Sequence, residues 1–234
     1  MTTRDPKHVL IGLPLRDGNT RFETSLSLLR LCTEKNPLGI SVSIYPYGGG
    51  DVAHARNIIL HYALTKTDAS KLVFIDSDIN FTPRDFTRLC AWLLAGCGIV
   101  CGLYPRKRLK ELSWSINLGS KRSDVFPELH ETPEVCGGFL GVDLVTVAQP
   151  LLDAHPETEY VIEDSAFYGE VGHELFAMGV VNRRRLTEDY YFSQRATALG
   201  YRLFVDPTIQ LGHLGDADYL DVHMGKPDVL PRQT

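Results

Sequence analysis

The eight residues Leu72-Val73-Phe74-Ile75-Asp76-Ser77-Asp78-Ile79 constrain the fold more than any other stretch of the chain. Leu72–Ile75 is an unbroken apolar run, partly β-branched or aromatic, which reads as a buried strand. Two carboxylates follow at once, so the strand must end there. In an open α/β sheet, ligands bind beyond the carboxyl ends of the strands. An Asp-x-Asp pair placed there can share a hard divalent cation, Mg2+ or Mn2+, with a substrate phosphate. The same residues would also serve as an Asp-rich turn capping the next helix, and the motif alone leaves both readings open.

The flanking sequence supplies a sheet for that strand to join. His8–Pro14 and Ile40–Tyr45 read as strands, with Thr24–Lys35 between them as an amphipathic helix. Gly48-Gly49-Gly50-Asp51 leads into a helix over Val52–Thr67, and this turn is neither a dinucleotide fingerprint nor a P-loop. His54, Arg56 and Asn57 lie in its first turns, where an anion would meet free N–H groups. Pro83 suits the first turn of a helix over Pro83–Ala95, and Ile99–Leu103 reads as a fourth strand. Residues 112–118 suggest an antiparallel strand and 119–133 a loop. Val135–Leu140 reads as a strand interrupted by Gly137-Gly138, a pattern that marks a bulge or the close approach of a ligand. Leu144–Ala154 is helical by pattern, and residues 155–182 read as one long loop. Thr187 is expected to cap a helix over Thr187–Leu199, with Glu188 and Asp189 in its first turn. Short strands at Arg202–Val205 and Ile209–Leu211 then flank Asp206-Pro207, and Gly212–Gly215 opens a polar tail. The alternation of strands and helices predicts one α/β domain with a largely parallel sheet.

At 234 residues the chain can fill one domain or at most two small ones. No apolar run approaches the length of a membrane span, and the first residues lack an apolar signal segment, so a cytoplasmic protein is expected. The five cysteines lack metal or redox spacing and are expected as reduced core residues. The net charge of −5 is unevenly spread: residues 104–122 carry six cations against Glu111, a local +5, and Arg183–Arg185 form a second basic block. Arg106, Lys107, Arg108, Arg184 and Arg185 are therefore candidates to contact a polyanion or a diphosphate. A plain solvated face is the alternative.

Three pieces stand together: Asp76 with Asp78 at a strand end, Glu188 with Asp189 opening a late helix, and His213 between glycines. Their order resembles the GT-A type glycosyltransferases, particularly the small family-2-like enzymes of bacteria and bacteriophages. The likeness is carried by Ala55-Arg56-Asn57, Phe74–Asp78, Cys136-Gly137-Gly138-Phe139, Thr187–Phe192, and Gly200–Pro207 leading to Gly212-His213. It spans residues 8–215 and leaves 216–234 as a tail. The resemblance implies a single GT-A domain whose mostly parallel central sheet has helices on both faces. It implies a nucleotide-sugar donor, a UDP-sugar foremost, together with Mn2+ or Mg2+. Asp76 would meet the ribose or the metal, and Asp78 and His213 would ligate the metal. Pro14, Arg16, Asp51, Arg56, Asn57 and Ser77 would complete the donor site, with the sugar lying against Gly137 and Gly138. Asp189 would be the catalytic base, with Glu188 its neighbour in sugar or acceptor binding.

Those roles are chemically coherent. A cation neutralises charge on a departing nucleoside diphosphate, and a carboxylate at a helix N-terminus stays ionised to accept a proton. Inversion is the simplest outcome, although a late histidine ligand is also familiar in retaining members of the fold. The expected acceptor is a hydroxymethylpyrimidine in DNA or, as the rival, a saccharide. A nucleotidyltransferase using the same Asp-x-Asp metal chemistry is the alternative activity. A phosphatase of the haloacid dehalogenase type fits poorly, because the motif lies on the third strand and Ile79-Asn80-Phe81 follows it. A non-catalytic binding module would not need Asp189.

Overall fold

The computed structural model describes residues 3–15, 18–108, 113–116 and 122–215, together with 218, 219, 221 and 224. The chain opens with β1 (Asp5–Leu15), α1 (Phe22–Thr33), β2 (Ser41–Gly48), α2 (Val52–Thr65) and β3 (Ala69–Ile75). A two-residue strand β4 (Ile79–Asn80), helix α3 (Pro83–Leu94) and β5 (Ile99–Leu103) follow. Next come β6 (His130–Thr132), β7 (Phe139–Asp143), a π-helical turn at Leu144–Ala148 and α4 (Gln149–Ala154). Two small hairpins are built from β8 (Glu159–Val161) with β9 (Val171–His173), and β10 (Gly179–Val181) with β11 (Arg184–Leu186). Helix α5 (Glu188–Ala198), β12 (Leu203–Gln210) and β13 (Gly212–His213) complete the described elements.

The central sheet has the order β2-β1-β3-β7-β5-β12-β6. Five of its strands run one way, and β6 and β7 oppose them. Every residue of β3 is buried, as its uninterrupted apolar sequence requires. Two close approaches locate the helices. Ile59 of α2 presses on Gly12, which pairs with Phe74, whereas Leu89 and Leu93 of α3 press on Gly141, which pairs with Val73. Phe74 and Val73 are neighbours in β3 and face opposite sides, so α2 and α3 cover opposite faces of one sheet. Helix α3 begins as its sequence predicts: Thr82 and Asp85 form a reciprocal capping box, with Pro83 in the first turn.

The structure corrects several local expectations. Gly137 and Gly138 form a turn, and the strand after them starts only at Phe139. That strand, β7, runs antiparallel between β3 and β5. Residues 155–182 contain ordered strands rather than one loop, each three residues long. Of the predicted 112–118 strand, the described part holds one antiparallel bridge, Trp114 to Pro105. Four cysteines are buried as expected, but Cys32 is exposed. Among the described residues, no helix is long and apolar enough to cross a membrane.

The two late strands of the sequence are one, because β12 continues through Pro207. Its pairing with β5 shifts register between Val205 and Gln210, so the missing proline N–H falls where no ladder bond is due. Asp206, 0% exposed, is fixed by Trp92 Nε1–H at 2.7 Å, by Arg88 Nε–H at 2.5 Å and by Thr208. Burial pushes its carboxyl pKa up, but the hydrogen bonds from Thr208, Trp92 and Arg88 outweigh that and hold it below the ordinary value. Its stabilising contribution is therefore complete above about pH 4 and is lost as pH falls through the depressed native value. Asp206→Ala is expected to cost about 3 kcal/mol in urea denaturation at neutral pH. It should also flatten the acid limb of the stability profile.

Candidate functional site

The sheet changes direction of growth at β1, with β2 on one side and β3 on the other, and a crevice opens at their carboxyl ends. There a cavity of about 510 Å3 is lined by Pro14, Leu15, Gly50, Asp51, Val52, Ala55, Asp76, Ser77 and Asp78. Gly50 adopts a left-handed conformation (φ 64°), and Asp51 then caps α2 by accepting the His54 N–H at 2.9 Å. The Ser77 carbonyl is held from the other side by Arg21 N–H and the Thr24 hydroxyl. Pro14, Asp51, Asp76 and Ser77 thus share one wall. Arg16 lies outside the described residues.

Arg56 is the buried centre of this wall, 1% exposed. Its Nη2 donates to Asp76 Oδ1 at 2.9 Å, and its Nε reaches Glu188 Oε1 at 3.4 Å. The guanidinium also lies over the Phe74 ring, 5.4 Å from its centre. Glu188, expected as a working partner of Asp189, faces inward to Arg56 instead. Burial raises the pKa of both Asp76 and Glu188 against the pull of Arg56, and neighbouring carboxylates add to the rise. Gly137 allows this packing: a Cβ there would stand 2.5 Å from Arg56 Nη2.

The glycine pair joins the early and late carboxylates. Gly137 N–H donates to Asp189 Oδ2 at 3.1 Å, and the Gly138 carbonyl accepts Asp76 N–H at 3.0 Å. Asp189 Oδ1 accepts the Thr187 hydroxyl at 2.5 Å and Tyr190 N–H at 2.9 Å. Thr187 occupies the N-cap position, yet its hydroxyl serves Asp189 and makes no cap bond. Asp189 remains half-buried, whereas Glu188 is buried.

Tyr104 was not among the expected site residues. Its hydroxyl accepts Gly138 N–H at 3.1 Å, and its ring meets His213 edge-on at 5.0 Å. Burial raises its pKa, as do nearby Cys136, Asp76 and Asp189. Its position directly after the Ile99–Leu103 strand was the available signal, since residues at strand ends face the crevice.

His213 arrives by strand pairing: β13 pairs with β4, setting His213 opposite Ile79 beside Asp78. Its Nδ1 lies 2.7 Å from the Pro105 carbonyl, which can only accept, so Nδ1 carries the proton. Nε2 is left with a lone pair, 3.7 Å from Asp78 Oδ2. Burial lowers the pKa of His213, favouring the neutral, ligating form. A carbonyl-anchored imidazole next to a carboxylate suits a divalent cation that takes its other ligands from water and phosphate. Of the three expected ligands, Asp78 and His213 face each other, while Asp76 turns Oδ1 to Arg56. Among the described residues no group of three His, Cys, Asp or Glu side chains is placed to hold a metal.

The remaining candidates divide between paired and exposed side chains. Asn57 exchanges two hydrogen bonds with the backbone of Phe176, at 2.7 and 2.9 Å, so its amide braces the core rather than facing a donor. Arg184 forms a two-pronged ion pair with Glu134 and lies over the Tyr190 ring. Lys107 Nζ is 2.6 Å from Asp78 Oδ2. Arg106, Arg108 and Arg185 are exposed, while Lys110 and Lys121 lie outside the described residues. A second cavity, about 560 Å3, shares Asp51 with the first and is lined by Glu157, Glu159, Glu174, His54 and Tyr160 among others. Among the described residues, no arginine or lysine of the basic blocks lines either cavity, although Lys107 reaches Asp78 at the edge of the first.

No protein-family model matches the sequence, and no curated protein matches it. Among solved structures, the fold is similar to A197 from STIV, with a TM-score of 0.51 and 20% identity over 89% of this chain and 86% of that one. GalNAc-T7, solved with UDP, GalNAc and Mn2+, matches with a TM-score of 0.48 and 9% identity over 93% of this chain and 47% of that chain. The architecture is a Rossmann-like GT-A domain.

Proposed function

We propose that the chain transfers a glycosyl group from a nucleotide sugar, a UDP-sugar foremost, to an acceptor hydroxyl with the help of Mn2+ or Mg2+. The observation that carries this reading is the charge inventory of the crevice. Asp51, Asp76 and Asp78 line the crevice, with Glu188 and Asp189 behind it. Among the described residues, the ion pairs of this group are those of Arg56 with Asp76 and Glu188, of Lys107 with Asp78 and, when the imidazole is protonated, of His213 with Asp78. A diphosphate would be repelled unless a cation accompanied it. Asp78 and His213 would hold that cation, whose charge would stabilise the departing diphosphate. The sugar would lie toward the Gly137-Gly138 turn, whose glycines are buried and make room for the Arg56 guanidinium and the Tyr104 ring. Asp189 is the base: as the acceptor oxygen bonds to the anomeric carbon and the bond to the diphosphate breaks, the acceptor proton passes to the carboxylate. A single displacement of this kind inverts the anomeric centre.

A neutral, hydroxyl-rich saccharide is the acceptor that suits the carboxylate-lined second cavity. A duplex would be repelled there, and two of the expected basic contacts are already paired with Asp78 and Glu134. Salt-sensitive binding to DNA at low ionic strength would reverse this preference.

The test is a panel of nucleotide sugars with Mn2+, followed by release of the nucleoside diphosphate. Slow donor hydrolysis is expected with at least one UDP-sugar. Asp78→Ala, which spares the Arg56 pairs, should reduce it about a hundredfold or more. Transfer of the nucleotide instead of the sugar, or no turnover of any donor, would refute the reading.

A further inference from the structure

We propose that Lys107 is a tethered counter-cation of Asp78, which a divalent ion and a diphosphate displace together, so that each tightens the other's binding. This rests on the donor-site reading above and adds a coupling to it. Lys107 Nζ lies 2.6 Å from Asp78 Oδ2, the same oxygen that His213 Nε2 faces at 3.7 Å. The ammonium therefore shares the one oxygen a cation would take from this carboxylate. One short segment does two opposed things here. The Pro105 carbonyl fixes His213 with its ligating nitrogen turned to Asp78, and two residues later Lys107 puts a positive charge on the Asp78 edge. Arg108 N–H donates to the Arg106 carbonyl at 2.7 Å, a tight turn centred on Lys107. The lysine stem runs past Gly215, where a Cβ would stand 3.5 Å from its Cδ, so the clasp includes the segment that carries His213.

A divalent ion on Asp78 would come within a few ångströms of the ammonium, and like charges at that range repel strongly. The Lys107 and Asp78 side chains are 37% and 29% exposed, and a pair this open separates readily. The diphosphate is the anion that would arrive with the ion, and it offers the displaced ammonium a new partner. Metal alone must therefore evict Lys107 without compensation, whereas metal with nucleotide need not. Such coupling is reciprocal.

Calorimetric titration with Mn2+, with and without UDP, tests this on wild type, Lys107→Met and Lys107→Arg. Wild type should bind Mn2+ weakly alone and about tenfold more tightly with UDP. Lys107→Met should bind Mn2+ alone about tenfold more tightly, bind UDP more weakly, and lose most of the coupling. Lys107→Arg, which keeps the charge, should behave as wild type. Unchanged Mn2+ affinity in Lys107→Met would overturn the proposal, as would tighter Mn2+ binding with UDP affinity untouched. If Mn2+ bound no variant even with UDP, the donor-site reading itself would fall, and the coupling with it.

Discussion

Asp189→Asn is expected to lower the rate of sugar transfer on the order of 10³-fold while UDP and Mn2+ bind within about twofold of wild type. The carboxylate accepts from Gly137 N–H on one oxygen and from Tyr190 N–H and the Thr187 hydroxyl on the other. An asparagine oxygen can serve one of those two N–H groups, and its NH2 then faces the other. A modest stability loss of about 1–2 kcal/mol should accompany the change, and thermal denaturation reads it separately. The two roles of Asp189 predict different kinetics. A lost base lowers kcat with KM little altered. A displaced Gly137 would raise KM for the donor. Loss of UDP binding in proportion to lost turnover would show that Asp189 is a brace for the glycine turn and not the proton acceptor.

The sequence made some of this legible and hid the rest for identifiable reasons. β3 could be read because burial on both faces writes an unbroken apolar run, and α3 because its cap and proline are local. The strands β6 and β8 to β11 span three residues each, too few for a period-of-two pattern to stand out. β13 is shorter still, yet it sets His213 beside Asp78, and only its partner β4 reveals it as a strand. Counting charge over residues 104–122 suggested a basic face, but a count holds no information about partners. Lys107 is matched by Asp78, and Arg184 by Glu134, 50 positions away. Arg56 is expected to face the donor from its place in the first turns of a helix, where an anion meets free N–H groups, and from the family resemblance. Its burial depends on Asp76 and Glu188, 20 and 132 positions away, and on a glycine at 137 small enough to admit it.

That dependence makes Arg56→Met the change expected to damage the fold most. Methionine fills much of the volume but leaves Asp76 and Glu188 without their cation. Removing one partner of a buried ionic group typically costs about 3–5 kcal/mol. Urea denaturation at neutral pH should show a loss of that size. An electrostatic cause can be told from a packing cause by pH. Burial already holds the Glu188 carboxyl above its ordinary value with Arg56 in place, and without the guanidinium its native pKa must rise further. An acid whose pKa is higher folded than unfolded penalises folding above that native pKa, and the penalty disappears as the group protonates. Arg56→Met should therefore recover much of its stability as pH falls from the raised native value toward the ordinary carboxylate range, a change that a cavity defect would not show. Equal destabilisation at both ends would mean that Arg56 supports the site through its packing on Phe74 and Gly137, with its charge contributing little.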